Sequence, residues 1–278
     1  MRKIGGHVSM AGSLLNAVSK TLAIGGNCMQ IFAGSPRLWS RKPFPEDQVK
    51  GFLEETKKNN ISPTVIHALY LVNLASTNKD ILDKSTSSLI TDMQNGARIH
   101  SAGVIVHIGS HLGAGFDAVK DQLVSVIKQI LNSTENCDLI LENDAGQNGK
   151  IGSIEEISFL IKTIDNPRLK MCLDSAHLFE SGVDIRDAAS VEKFSKQLIS
   201  LDLADKLVCI HLNDSATVLD SHRDMHANIG EGEIGLKGLS NLINHPTFKN
   251  LPLILEVPGI KREGCDKENI ELVKSLVN

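Results

Sequence analysis

The chain has 278 residues, of which 41% are hydrophobic and 22% charged, a composition typical of a soluble globular protein and unlike that of a disordered one. Its formal net charge of -4 excludes a strongly basic coat for nucleic acid, although a local basic surface stays compatible with it. The five cysteines are odd in number and lack a Cys-x-x-Cys spacing, so we expect buried free thiols in a reducing compartment.

Short apolar segments alternate with amphipathic helical ones along the whole chain. Eight of the apolar segments are predicted strands, at residues 3–8, 28–33, 63–68, 103–108, 138–143, 170–174, 206–212 and 252–257. Several are apolar on both faces, as at residues 104–106 and 139–141. Strands that are buried on both faces are typical of a parallel sheet covered by helices.

The segments between the strands have helical periodicity. Leu14, Val18 and Leu22 form one apolar stripe, Pro45 begins the next helix, and Ser153 and Glu156 have the spacing of a capping box. Further stripes fall within residues 119–130, 157–164, 191–198, 236–242 and 270–276. Eight β-then-α units predict an α/β protein, a (β/α)8 TIM barrel that forms a single domain over residues 1–278. An open doubly wound sheet is the alternative, but the first strand is not followed by a glycine-rich phosphate loop.

Imidazole and carboxylate side chains gather at the predicted carboxyl ends of the strands, the face on which barrel enzymes carry their active sites. They are His67, His107, Glu142, Asp174, His177, His211, Asp224, His226 and Glu256. Any one of them alone would more often have a structural role. Nine such groups on one rim would be costly to desolvate without a cation, and imidazole with carboxylate is a ligand set for zinc, iron or manganese. The residues therefore predict a site for two or three metal ions at this face.

The segments that carry these residues resemble the endonuclease IV family of apurinic/apyrimidinic (AP) endonucleases over nearly the whole chain. The matching motifs are IGGHVS at residues 4–9, HALYL at 67–71, HIGSHL at 107–112, LENDAGQ at 141–147, CLDSAH at 172–177, HLNDS at 211–215, RDMH at 223–226 with GEG at 230–232, and LILE at 253–256. Each motif is weak by itself, whereas the set in this order is specific to the family.

This resemblance implies a centre of three zinc ions, with manganese or iron able to replace zinc at some positions. The implied ligands are His67, His107 and Glu142 for the first ion, Glu142, Asp174, His211 and Glu256 for the second, and His177, Asp224 and His226 for the third. Glu142 would bridge two ions, and Glu142 and Glu256 are the implied catalytic residues. The implied reaction is hydrolysis of the DNA backbone 5′ to an abasic site, which leaves a 3′-hydroxyl and a 5′-deoxyribose phosphate.

The family's DNA-contacting positions correspond to Arg37, just before the single tryptophan, and to Tyr70 and Leu71. Without the resemblance, packing at the core or rim would be the simpler interpretation of Tyr70. Asp144 stands where threonine is common, Asp220 where glycine is usual and Met225 where arginine is usual, changes expected to weaken local attraction for phosphate. We expect the partner to be damaged double-stranded DNA and the protein to be an intracellular monomer without a membrane segment, cytoplasmic or, in a eukaryote, nuclear.

Two other functions remain open at this point. A sugar isomerase or epimerase of the xylose-isomerase-like barrels would hold one or two ions, and would not need the third set of His177, Asp224 and His226. A catalytically silent protein that binds DNA lesions would have no reason to keep a complete set of ligands.

Overall fold

The structure of the protein is a computed structural model that describes residues 2–278. Within this range, strands β1 to β10 are Ile4–His7, Cys28–Phe32, Thr64–His67, Gly103–Val106, Asp138–Glu142, Leu169–Asp174, Leu207–His211, Asp214–Ser215, His226–Ala227 and Leu253–Leu255. All except β8 and β9 form one closed parallel barrel in the order β1-β10-β7-β6-β5-β4-β3-β2. Each predicted strand overlaps one barrel strand, so the predicted (β/α)8 TIM barrel is confirmed.

Nine α-helices lie in the described part of the chain. Helices α1 to α9 are Leu14–Ala23, Glu46–Lys58, Lys79–Arg98, Phe116–Asn132, Ile154–Ile164, Ser175–Glu180, Ala188–Ser200, Gly235–Asn244 and Lys267–Leu276. Among residues 2–278, none is both long enough and apolar enough to cross a membrane.

Local sequence explains how the predicted helices begin and which face they bury. In α5 the Ser153 hydroxyl accepts the Glu156 N–H, and the Glu156 carboxylate accepts the Ser153 N–H, so the predicted capping box is confirmed. In α1 the buried face is Leu14, Ala17, Val18 and Thr21. Leu22 is exposed, so its assignment to the inward stripe was wrong: the helical period places Thr21 on that face instead.

The strand residues that point into the barrel determine where the polar site lies. Val65, Ile105, Ile140, Cys172 and Cys209 form a fully packed apolar layer inside the barrel. Successive residues of a strand point alternately into and out of the barrel, so the residue two positions after each of these five points inward again. Those residues are His67, His107, Glu142, Asp174 and His211. The alternation therefore stacks a polar layer directly above the apolar one, at the carboxyl ends of the strands.

The cysteines agree with the expectation of free thiols. All five are unpaired, four are buried and Cys265 is half-buried. Burial raises the pKa of the Cys28 thiol well above its ordinary value, which keeps that group protonated.

Candidate metal centre

All nine residues predicted as ligands lie around the mouth of the barrel. His67, Glu142, Asp174 and His211 are the last residues of their strands. His107 and Glu256 directly follow β4 and β10 rather than ending them, a difference of one residue from the prediction. The short helix α6 carries His177, the loop that leads into β9 contributes Asp224, and His226 is the first residue of β9. Several of these side chains line a cavity of about 500 Å³ that opens at the mouth.

The first group consists of two imidazoles that face one carboxylate oxygen. Nε2 of His67 lies 3.3 Å and Nε2 of His107 lies 3.5 Å from Oε2 of Glu142. One ligand atom from each of these three residues lies within 4.8 Å of the others, a spread that a single ion can span. Nδ1 of His67 donates to the Ala68 carbonyl at 2.7 Å, which leaves Nε2 free to ligate.

The second group uses the other oxygen of the same glutamate. Nδ1 of His211 lies 2.6 Å from Oε1 of Glu142, 3.2 Å from Oε2 of Glu256 and 3.9 Å from Oδ2 of Asp174. These four residues also offer ligand atoms within 4.8 Å of one another. The two oxygens of Glu142 thus face two different groups, which is the arrangement of a carboxylate that bridges two ions.

The third group lies toward α6 and the loop before β9. Nε2 of His177 is 3.2 Å from Oδ1 of Asp224, and Nε2 of His226 is 3.7 Å from that oxygen. The predicted set needs a correction here: Asp174, rather than Asp224, joins His177 and His226 in a group whose ligand atoms all lie within 4.8 Å of one another, and its Oδ2 is 3.7 Å from Nε2 of His226. Nε2 of His177 and Nε2 of His226 are buried and find no hydrogen-bond partner within residues 2–278. Buried donor atoms that converge without a partner fit a cation site.

The imidazoles of the centre favour the ionised form of two of its carboxylates, Glu142 and Asp224. Burial alone would raise the pKa of Glu142, but the His211 and His107 imidazoles outweigh it and hold that pKa well below its ordinary range. Burial likewise opposes ionisation of Asp224, but the nearby imidazoles of His177, at 3.2 Å, and His226 outweigh it and lower the pKa of that carboxyl. The ionised form is the one that ligates a metal, so the electrostatics suit a metal centre.

Three polar residues that support the centre were missed by the sequence analysis. Gln30 accepts a hydrogen bond from Nε2 of His211 at 2.7 Å and donates to Oε1 of Glu256 at 2.6 Å. Nδ1 of His7 is 3.1 Å from the same oxygen of Glu256. Asn213 donates to Oδ2 of Asp174 at 2.7 Å. A single glutamine inside the apolar strand Cys28–Phe32 was the available signal for Gln30, because a buried amide needs a polar partner.

The residues predicted to contact DNA lie at the rim of the mouth. Tyr70 is 62% exposed, which disfavours the core-packing interpretation, and its ring centroid lies 5.2 Å from that of Phe32. Its backbone N–H donates to the Pro36 carbonyl at 3.1 Å, so its loop adjoins the loop of the exposed Arg37. Leu71 is also exposed, beside Tyr70. The three residues thus form one exposed surface next to the cavity.

The loop of Arg37 is anchored from below by a buried ion pair. Nε of Arg41 lies 3.1 Å from Oδ1 of Asp92 on α3, and both side chains are almost fully buried. The same guanidinium donates to the carbonyls of Ser35 and Leu38 at 2.9 and 3.1 Å. These contacts restrain the backbone that carries Arg37 at the rim.

The three departures expected to weaken attraction for phosphate differ in their surroundings, and Asp220 is exposed. Met225 is exposed. Asp144 is buried instead, with Oδ2 lying 3.1 Å from Nδ1 of His107 and 3.3 Å from Nζ of Lys150. Its charge is compensated within the protein, so the expectation that Asp144 repels phosphate does not match its position.

Comparison with known proteins places the chain in a family. A sequence profile described as a xylose isomerase-like TIM barrel matches residues 18–276. The protein called "Probable endonuclease 4" of Halothermothrix orenii is 39% identical over 277 residues, which cover 99% of each chain. The crystal structure of endonuclease IV from Thermus thermophilus superimposes with a TM-score of 0.85 at 30% identity, over 99% of this chain and 98% of that one.

A more distant likeness concerns the fold alone. The crystal structure of a D-tagatose 3-epimerase-like protein gives a TM-score of 0.72 at 21% identity, and covers 99% of this chain and 96% of that chain. It shows that the two proteins share the barrel fold. Because similarity to the endonucleases extends through sequence as well as fold and over the full length, the chain belongs to the endonuclease IV family.

Proposed function

We propose that the protein is a DNA-repair hydrolase that cuts the phosphodiester bond 5′ to an abasic site in duplex DNA, leaving a 3′-hydroxyl and a 5′-deoxyribose phosphate. Family membership supports a nuclease, as the names of the relatives state for those proteins. The observation that carries the proposal is the third group, where His177, Asp224 and His226 converge beside the two groups that share Glu142. A sugar isomerase with one or two ions would not need it.

The donor set fits three zinc ions, held in the groupings implied by the sequence. The first would be held by His67, His107 and Glu142, the second by Glu142, Asp174, His211 and Glu256, and the third by His177, Asp224 and His226. When bound, zinc lowers the pKa of coordinated water toward about 7 and offsets charge on a phosphate. Imidazole and carboxylate ligands also accept manganese or iron.

The protein's own residues would position the substrate and keep the centre rigid. Carbonyl oxygens behind four of the five imidazoles fix the orientation of those rings. Gln30 and Asn213 hold Glu256 and Asp174 in place. An abasic nucleotide lacks a base to stack, so little free energy is needed to turn it out of the duplex. Tyr70, Leu71 and Arg37 at the rim would fill the space that it leaves, as apolar wedges do in kinked DNA.

Metal content tests the centre itself. We expect the purified protein to carry three transition-metal ions per chain, mainly zinc, because the three groups of ligand atoms lie at separate places around Glu142 and Asp174. Elemental analysis against a protein concentration from amino-acid analysis measures this ratio. Full occupancy at one ion per chain would contradict the three-ion centre and favour the isomerase.

Tyr70→Ala tests the wedge at the rim. The exposed ring can stack in a duplex, and aromatic stacking on a base is worth about 1–3 kcal/mol, so we expect affinity for abasic duplex to fall by roughly tenfold or more. Metal content should not change. Ile199→Ala on α7 removes a similarly exposed apolar side chain outside the mouth and is the matched control. Unchanged affinity for the lesion in Tyr70→Ala would show that Tyr70 does not contact the DNA and only packs at the rim.

A further inference from the structure

The predicted histidine ligands differ in what lies behind the ring. Each ring has one nitrogen that points toward a ligand group and a second, outer nitrogen that points away from it. In four of the histidines the outer nitrogen lies near a neutral carbonyl oxygen: Nδ1 of His67 is 2.7 Å from Ala68 O, Nδ1 of His177 is 3.0 Å from Asn143 O, Nε2 of His211 is 2.7 Å from Gln30 Oε1, and Nδ1 of His226 is 3.3 Å from Glu256 O. The exception is His107, whose Nδ1 lies 3.1 Å from Oδ2 of Asp144. Among the five histidines, His107 is therefore the one whose outer nitrogen faces a carboxylate.

The surroundings of His107 make this carboxylate important for holding the ring. Within the part of the chain that the structure describes, neither Nδ1 of His107 nor Oδ2 of Asp144 completes a hydrogen bond of good geometry, although the two atoms lie only 3.1 Å apart. The His107 side chain is also 22% exposed, compared with 3% for His67, so packing restrains it less. Asp144 itself is fixed, because its Oδ1 accepts the Gly146 N–H at 3.1 Å and Nζ of Lys150 lies 3.3 Å from its Oδ2.

A carboxylate behind a ligating imidazole has a known physical effect. It accepts the proton on Nδ1, so the lone pair on Nε2 points at the metal, and its negative charge makes that nitrogen a stronger donor. A carbonyl oxygen fixes the same tautomer without adding a charge. A threonine, common at position 144 in the family, would likewise supply no charge.

We propose that Asp144 is a positioning residue that orients His107 and tightens the ion held by His67, His107 and Glu142. Lys150 compensates the buried charge of Asp144 and so allows a carboxylate in this place. The inference rests on the proposed function in one respect, namely that the centre binds metal ions.

The test is the metal affinity of Asp144→Asn, measured without DNA by equilibrium competition with a chromophoric zinc chelator. Asparagine keeps the Oδ1 acceptor for the Gly146 N–H, so the loop is retained. Its amide N–H would face Nδ1 of His107, which favours the wrong tautomer. We expect one of the three ions to bind roughly 10–100-fold more weakly and the other two to keep their affinities. Asp144→Glu should recover part of the loss, because it restores the carboxylate.

Asp220→Asn is the matched control. It removes the same charge from an exposed carboxylate that pairs with His222 at 3.3 Å, outside the three groups, and it should leave all affinities unchanged. Wild-type affinity for every ion in Asp144→Asn would overturn the inference while leaving the proposed function intact. Equal weakening of all three ions would also overturn it, since the effect would then not act through His107. A wild-type chain that binds no ion would overturn both.

Discussion

Glu142→Gln should fold normally and lose nicking of abasic duplex by several orders of magnitude. In the structure, Oε2 of Glu142 faces His67 and His107 while Oε1 faces His211, so both oxygens are used by different ligand groups. Glutamine has the same shape, but its amide nitrogen cannot ligate a metal and its side chain is uncharged. The first and second groups should therefore lose affinity together. DNA binding should fall much less, because Arg37, Tyr70 and Leu71 lie at the rim.

The experiment combines single-turnover nicking, a binding titration on the same duplex and metal analysis. The third ion should be retained, because none of its predicted ligands changes. Glu54→Gln, which alters an exposed glutamate on α2, is the control for the substitution itself. Thermal unfolding checks that the variant is folded. If the variant nicks near the wild-type rate and keeps its metal, Glu142 does not have the proposed bridging role.

His226→Ala should reduce the metal content from three ions to two and slow nicking by about 100–1,000-fold, the cost of losing one preorganised charge-stabilising contact. Nε2 of His226 lies 3.7 Å from both Asp174 and Asp224 and so joins the third group to the second. Without this ring, His177 and Asp224 alone offer too few donors for a tightly bound zinc ion. The first two ions should remain, because the predicted ligands of those groups are unchanged.

The matched control is His222→Ala, which removes an exposed imidazole from the same loop outside the three groups. Metal content and single-turnover nicking are measured on both variants. If His226→Ala retains three ions, His226 is not required to hold the third ion. If it loses an ion but nicks at the wild-type rate, the third group has no part in the reaction.

The sequence predicted the barrel and the positions of the ligands because both follow from local periodicity. Each barrel strand is short, apolar and buried on both faces, and the i, i+2 alternation carries an inward polar residue to its carboxyl end, as with Ile140 and Glu142. Helix α3 could not be predicted in this way. Its buried face includes Ser85, Asp92 and Asn95, which are buried by tertiary contacts and leave no apolar stripe in the sequence.

The supporting residues of the site were harder to predict for a related reason. Gln30 and Asn213 act through hydrogen bonds to residues distant in the sequence, Glu256 and Asp174, and no local pattern encodes such pairs. Asp144 was expected to be an unfavourable charge near DNA. Its burial depends on Lys150, six residues later in a loop whose path only the folded chain shows.

The most direct test of the central claim is incubation of the metal-replete protein with a labelled duplex that contains one abasic site. We predict a single cut immediately 5′ to that site, with a 3′-hydroxyl that a DNA polymerase can extend, and little cutting of the same duplex without the lesion. Binding of that duplex without cleavage would identify a lesion-binding protein, and interconversion of ketose sugars would identify an epimerase. An intact abasic duplex in the presence of fully metal-loaded protein would contradict the proposed activity.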